Sequence, residues 1–82
     1  MTIKLVFLGR LEDLAGAGEM LLPLDEPQAL PAILAGLPAD LAAALQGPKV
    51  KLALNGALLP PGAEPVLADG DELAFLPPVS GG

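Results

Sequence analysis

Residues 67–82 read LADGDELAFLPPVSGG, and the order of turn, strand and stop within this stretch decides the fold. Ala68-Asp69-Gly70-Asp71 carries turn chemistry, since glycine reaches φ > 0 without steric cost and aspartate bonds its own backbone. Residues 73–76 then alternate, Leu73 and Phe75 to one face and Ala74 and Leu76 to the other, the two-residue period of a strand. Pro77-Pro78 ends it, because neither proline has an N–H to offer a ladder. The mate for this last strand is the first one. Residues 2–8 alternate in the same way, Ile3, Leu5 and Phe7 against Lys4, Val6 and Leu8, and the two terminal strands can pair in parallel.

Working inward from these two strands, Gly9 breaks the first, and residues 10–15 predict a short helix with Leu11, Leu14 and Ala15 on one side and Gly16 as its stop. Residues 19–24 read as a second strand. Its distance from the first is too short for a parallel crossover, so an antiparallel hairpin-like pairing is expected. Leu30, Ile33, Leu34 and Leu37 give the i, i+3, i+4, i+7 pattern of an amphipathic helix over 27–37, with Asp25 or Glu26 available as its cap. Pro31 makes that helix start late, near Ala29, or bend. Pro38 and Asp40 open a second helical stretch through Leu45, which Gly47 ends.

Residues 49–54 alternate again, and Asn55-Gly56 is a hairpin signal leading to a short return strand at 57–59. Residues 60–65 read as a loop. Five short strands curled around one main helix describe an α+β fold of the β-grasp (ubiquitin-like) type with a mixed sheet. The domain spans residues 1–76, and residues 77–82 form an extended, flexible C-terminal tail. The solvent side of this sheet should be polar. Here it carries Lys4, Lys49 and Lys51 but also Val6, Leu8, Ala53, Ala74 and Leu76, with Leu58 positioned to join them. Paired terminal strands would gather the apolar members near the root of the tail, a docking patch rather than scattered surface aliphatics.

Composition removes most kinds of chemistry. The 82 residues hold no cysteine, histidine, tyrosine or tryptophan, so no thiol nucleophile, imidazole base, disulfide or thiolate metal site can be built. An autonomous enzyme is the weakest reading, because no nucleophile–base pair or phosphate-cradling glycine loop can be assembled and no metal site is expected. Asp69, Asp71 and Glu72 form a small carboxylate cluster, for which a solvated turn is the better reading. The net charge of −6, with four basic residues, argues against nucleic acid. No apolar run is long enough to span a bilayer and no signal peptide is visible, so a cytoplasmic location is expected.

What remains is the Gly81-Gly82 end, whose terminal carboxylate carries no neighbouring side chain. Glycine can thread a channel too narrow for a β-carbon. Six extended residues reach on the order of 20 Å. A slim carboxylate on a proline-stiffened arm can be presented inside another protein.

With the tail, turn and strand order in place, the chain resembles the molybdopterin synthase sulfur-carrier (small) subunits, a ubiquitin-related, MoaD/ThiS-like family. The resemblance is densest over residues 67–82, where the family pattern runs D-G-D-E, apolar residues, then P-P-V-[ST]-G-G. Residues 3–7 and 11–16 are similar to its opening strand and helix, and 51–58 to its central hairpin. Glu12 departs, standing where a basic residue is common in the family, with Arg10 in the preceding turn as the available substitute.

The resemblance implies that an E1-like adenylating enzyme uses ATP to activate the Gly82 carboxylate and that a sulfur-donor enzyme converts it to a thiocarboxylate. It further implies that the tail enters the large synthase subunit, in a heterotetramer, and delivers sulfur to cyclic pyranopterin monophosphate for molybdenum cofactor biosynthesis. Gly82 is then the covalent site, Gly81 its channel-compatible neighbour, and Pro77, Pro78, Val79 and Ser80 shape the exit. Leu8, Leu58, Phe75 and Leu76 are the docking candidates, although the parity of Phe75 points to the core. Such a chain is a covalent co-substrate and subunit, not a catalyst, and binds no permanent cofactor. The rival readings are a carrier for thiamine or tRNA thiolation, a ubiquitin-like modifier, and an interaction module with an idle tail.

Overall fold

In the computed structural model, residues 1–78 are described, and they form a five-stranded mixed sheet with three short helices against one face. The elements run β1 (Thr2–Phe7), α1 (Arg10–Ala15), β2 (Glu19–Pro23), β3 (Gln28–Ala29), α2 (Leu30–Ala35), α3 (Ala39–Leu45), β4 (Lys51–Leu54), β5 (Ala57–Leu58), β6 (Val66–Leu67) and β7 (Glu72–Leu76). Sheet order is β2-β1-β7-β4-β5. The terminal strands β1 and β7 pair in parallel at its centre, from Lys4 opposite Glu72 to Phe7 opposite Phe75. β2 is antiparallel to β1, and β4 is antiparallel to β7. The β-grasp expectation stands.

One parity of each central strand faces the helices and makes the core. Ile3, Leu5 and Phe7 of β1 and Leu73 and Phe75 of β7 are buried, together with Leu11, Leu30, Ile33, Leu34, Leu41 and Leu45 from the helices. The two phenylalanines stack with ring centroids 5.8 Å apart. Each fully buried aliphatic or aromatic side chain contributes roughly 1.5–3 kcal/mol, and no charged or polar side chain dilutes this core among the described residues.

Departures from the sequence reading lie in the middle of the chain. The apolar helix pattern over 27–37 yields α2 with only six residues, starting at Leu30 with Pro31 in its first turn. A proline there has no intrahelical bond to lose. Its N-cap is Ala29, with no side-chain cap bond, so neither Asp25 nor Glu26 performs that role. Residues 28–29 are instead drawn into a small ribbon: β3 pairs antiparallel with β6, and the Leu30 N–H donates to the Pro65 carbonyl at 3.0 Å. β6 was invisible to periodicity because two residues cannot show a period, yet its Leu67 is wholly buried. Leu14 is also corrected. It does not share the buried side of α1 with Leu11 but is 44% exposed.

Candidate functional site: the outer sheet face and the tail root

The register of the sheet fixes which residues share its outer face. Val6 lies opposite Glu19 on β2 and opposite Ala74 on β7; Ala74 lies opposite Ala53, and Ala53 opposite Leu58. Leu76 is opposite Lys51 one step nearer the end of the sheet, and Leu8 follows β1 at the same end. Val6, Ala74, Ala53 and Leu76 are half-buried, while Leu8 and Leu58 are 41% and 62% exposed. Six apolar side chains thus occupy an uncovered face where a polar surface is the ordinary outcome. The face is fenced at the other end, where Lys4 lies 3.9 Å from Glu19 and 3.8 Å from Glu72. These are exposed pairs, worth little energy, and opposite Lys4 on β2 stands a further exposed apolar residue, Leu21.

Three of the docking candidates, Leu8, Leu58 and Leu76, therefore lie on this face. Phe75 does not. It is 0% exposed and stacked on Phe7, because the two-residue period of β7 points it into the core, so it offers no surface to a partner.

At the end of β7 the tail root packs on the body. Pro77 and Pro78 are both half-buried. They line a groove of about 530 Å³ with Arg10, Leu11, Leu14 and Val50, and Lys49 stands at its side. Leu14 was missed as a surface residue; the signal was its place near the end of a helix too short to bury two turns. Pro77 also abuts Gly9, where a β-carbon would sit 2.9 Å from Pro77 Cγ. Val79, Ser80, Gly81 and Gly82, named from the sequence as the exit and the covalent site, lie outside the described residues.

The carboxylate cluster is the exposed turn expected from the sequence, and Asp69 and Asp71 also use it to fasten neighbouring strands. The Thr2 N–H donates to Asp69 Oδ1 at 2.8 Å, and the Gly70 N–H returns a bond to the Thr2 carbonyl at 2.9 Å. Asp71 Oδ2 accepts from the Ala68 N–H at 2.9 Å and its Oδ1 from Asn55 Nδ2 at 3.1 Å. Asn55 Oδ1 in turn accepts from the Glu72 N–H at 2.9 Å. The Ala68 N–H, and then the Asn55 amide, hold the Asp71 carboxyl below its ordinary value. Glu72 points elsewhere, toward Lys4. Among the described residues no three acidic side chains gather as metal donors would, and no helix is long and apolar enough to cross a membrane.

The arrangement sets an apolar sheet face beside the strand that leads into Pro77 and Pro78. Solved structures are similar to it in fold. The crystal structure of SAMP1 from Haloferax volcanii is 25% identical with a TM-score of 0.74, each chain covering 100% of the other. The solution structure of small archaeal modifier protein 1 from Methanosarcina acetivorans is 26% identical with a TM-score of 0.72, covering 99% of this chain and 96% of that one. A complex of subunits 1 and 2 of molybdopterin-converting factor from Helicobacter pylori matches at 25% identity and a TM-score of 0.60, with 100% of both chains covered. No curated protein matches the sequence. Residues 5–82 match the ThiS family, a span that begins within β1 and takes in all of β7 and Gly82. The chain belongs to the ThiS family.

Proposed function

We propose that this chain is a sulfur carrier whose Gly82 carboxylate is loaded as a thiocarboxylate, and that it serves molybdopterin synthesis as the small subunit of the synthase. The observation that carries the reading is that the family match runs through Gly82, in a chain whose last strand leads directly from an uncovered apolar face into Pro77-Pro78. A free carboxylate is a poor acyl donor, since its oxygen leaves badly. ATP, held by an E1-like adenylating enzyme, solves this: a Gly82 oxygen attacks the α-phosphate, pyrophosphate leaves, and an acyl-adenylate results. Sulfide-level sulfur from a donor enzyme then attacks the acyl carbon and AMP departs. Gly81 and Gly82 keep the arm slim enough for the large subunit's channel, and two loaded carriers supply the two sulfurs of the dithiolene. Leu8, Leu58 and Leu76, with Val6 and Ala74, form the docking face. Support for the large-subunit partner comes from the Helicobacter pylori complex of subunits 1 and 2.

A second reading has its own support: the Haloferax volcanii and Methanosarcina acetivorans structures are of SAMP1 proteins, the latter named a small archaeal modifier. A modifier would use the same adenylate but accept an amine instead of sulfur as the nucleophile. The deciding experiment incubates the chain with ATP, a candidate adenylating enzyme and sulfide, and reads intact mass and fragments. Oxygen-for-sulfur exchange at Gly82 is expected, and its absence overturns the carrier reading. Adding the large subunit and cyclic pyranopterin monophosphate should then consume the thiocarboxylate. If the thiocarboxylate persists, the molybdopterin assignment fails, and an isopeptide to lysine favours the modifier.

A further inference from the structure

Gly9 joins β1 to α1 with φ 55° and ψ −136°, a conformation that residues with a β-carbon rarely adopt. A β-carbon built there meets Pro77, 2.9 Å from Cγ and 3.8 Å from Cδ. Carbon pairs are most comfortable at about 3.5–4.0 Å, so the shorter contact is repulsive. Among the described residues, the other positive-φ glycines, Gly16, Gly56, Gly62 and Gly70, have nothing within 4 Å of such a carbon and answer to turn geometry alone. Gly9 is different: its missing side chain is also the space that Pro77 fills.

That space lies where the ladder gives out. The Leu8 N–H donates to the Phe75 carbonyl at 3.2 Å. The next rung of the parallel pair would need an N–H at residue 77, which proline lacks. Past this point the course of the chain is set by packing, and the packing partners of Pro77 are Gly9 and the groove formed with Arg10, Leu11, Leu14 and Val50.

We infer that Gly9 is a positioning residue: by leaving room for the Pro77 ring it fixes the direction in which Pro77 and Pro78 leave the sheet, and through them how readily Gly82 meets the enzyme that loads it. The functional half of this inference rests on the carrier reading, whereas the geometric half does not.

The test exploits the absence of cysteine. Ser80→Cys gives one attachment point for a nitroxide, and the backbone amides it broadens map the exit direction. In that background Gly9→Ala should move the broadened set. Combined with Pro77→Ala, which removes Cγ and Cδ, the Gly9→Ala change should move the map less than it does in the parent, the remainder being the strain of an alanine at φ 55°. An unchanged map in Gly9→Ala, or a shift of equal size in the Pro77→Ala background, overturns the inference. Should Gly9→Ala not melt cooperatively, Pro77→Ala alone decides: the inference requires its map to differ from the parent's. On unlabelled chains, ATP- and sulfide-dependent loading should fall about tenfold or more in Gly9→Ala, as a misplaced reacting group predicts, and the same change should cost less in the Pro77→Ala background than in the parent. A parent chain that never loads refutes the carrier reading and leaves the nitroxide maps to decide the geometry. A parent and Gly9→Ala that load equally refute the positioning role.

Discussion

The two ends of the central β1–β7 pair are built in opposite ways. At one end Thr2, Asn55, Ala68, Asp69, Asp71 and Glu72 exchange hydrogen bonds until each side-chain oxygen of the Asp71 carboxylate has a donor. At the other, the ladder stops at a proline, Leu8 stands 41% exposed, and Leu76 faces outward beside it. A pair of strands gains stability from being fastened at either end, yet this chain fastens only the end farther from its last residues. The closed end gives β1 and β7 their register. At the open end, among the described residues, no backbone bond holds Pro77 or Pro78, and the apolar side chains of the outer face stand beside them. In the proposed carrier the stretch 67–82 divides by task, its D-G-D-E part making the fold and its P-P-V-S-G-G part serving the partner.

That division is most exposed to refutation by deleting Gly82. Sulfur loading, read by intact mass, should vanish, while the thermal melt should stay within the small changes usual for surface substitutions, about 0.5 kcal/mol. A truncated chain that still supports product formation would mean the open end is idle. Next in size is Leu76→Arg. Association with the large subunit, measured by calorimetry, should weaken about 10- to 100-fold, or about 1.4–2.7 kcal/mol. Leu76 lies opposite Lys51, so some cross-strand repulsion is expected in the melt. Leu58→Arg, which lies opposite Ala53, supplies the control without it. Unchanged affinity in both would remove the outer face from the interface.

The closed end should show the reverse pattern. Asn55 sits at φ 50°, links Asp71 to Glu72, and begins the Asn55-Gly56 turn. Asn55→Ala loses both side-chain bonds and the ease with which asparagine takes a left-handed backbone. It should cost about 1–2 kcal/mol in denaturant unfolding. Loading of the folded fraction should be unaffected. A loading defect in excess of the unfolded fraction would show that the closed end reaches the tail.

The sequence made the strands legible because each central strand has one apolar parity long enough to count, and Asn55-Gly56 and Pro77-Pro78 punctuate them. The outer face was legible for the same reason: Val6, Leu8, Ala74 and Leu76 break the expected polar alternation. Three features were not. The β3–β6 ribbon has two residues per strand and hence no period. Leu14 sits on a six-residue helix where one turn decides between core and groove. The proximity of Gly9 and Pro77 is a contact across 68 positions, and nothing local to either residue announces it. Asp69 and Asp71 look alike to a composition count, and only the parallel pairing reveals that one receives the start of β1 and the other the β4–β5 turn.

The smallest expected effect isolates that last point. The donors around Asp71 favour its charged form in the fold, so its folded pKa lies below the ordinary 3.8. The stabilisation this provides is complete above the unfolded value and disappears as pH falls through the folded one. Asp71→Asn keeps one acceptor oxygen and presents an amide where the other oxygen took a bond, so it should melt earlier than the parent at neutral pH. As both chains are acidified through the folded value of Asp71, the difference in Tm should narrow, because the parent then becomes protonated and loses its advantage. A gap that stays constant with pH would mean the two bonds to Asp71 do not favour its charge. A gap that narrows while loading at neutral pH stays normal would assign Asp71 to the fold and leave the chemistry to the opposite end.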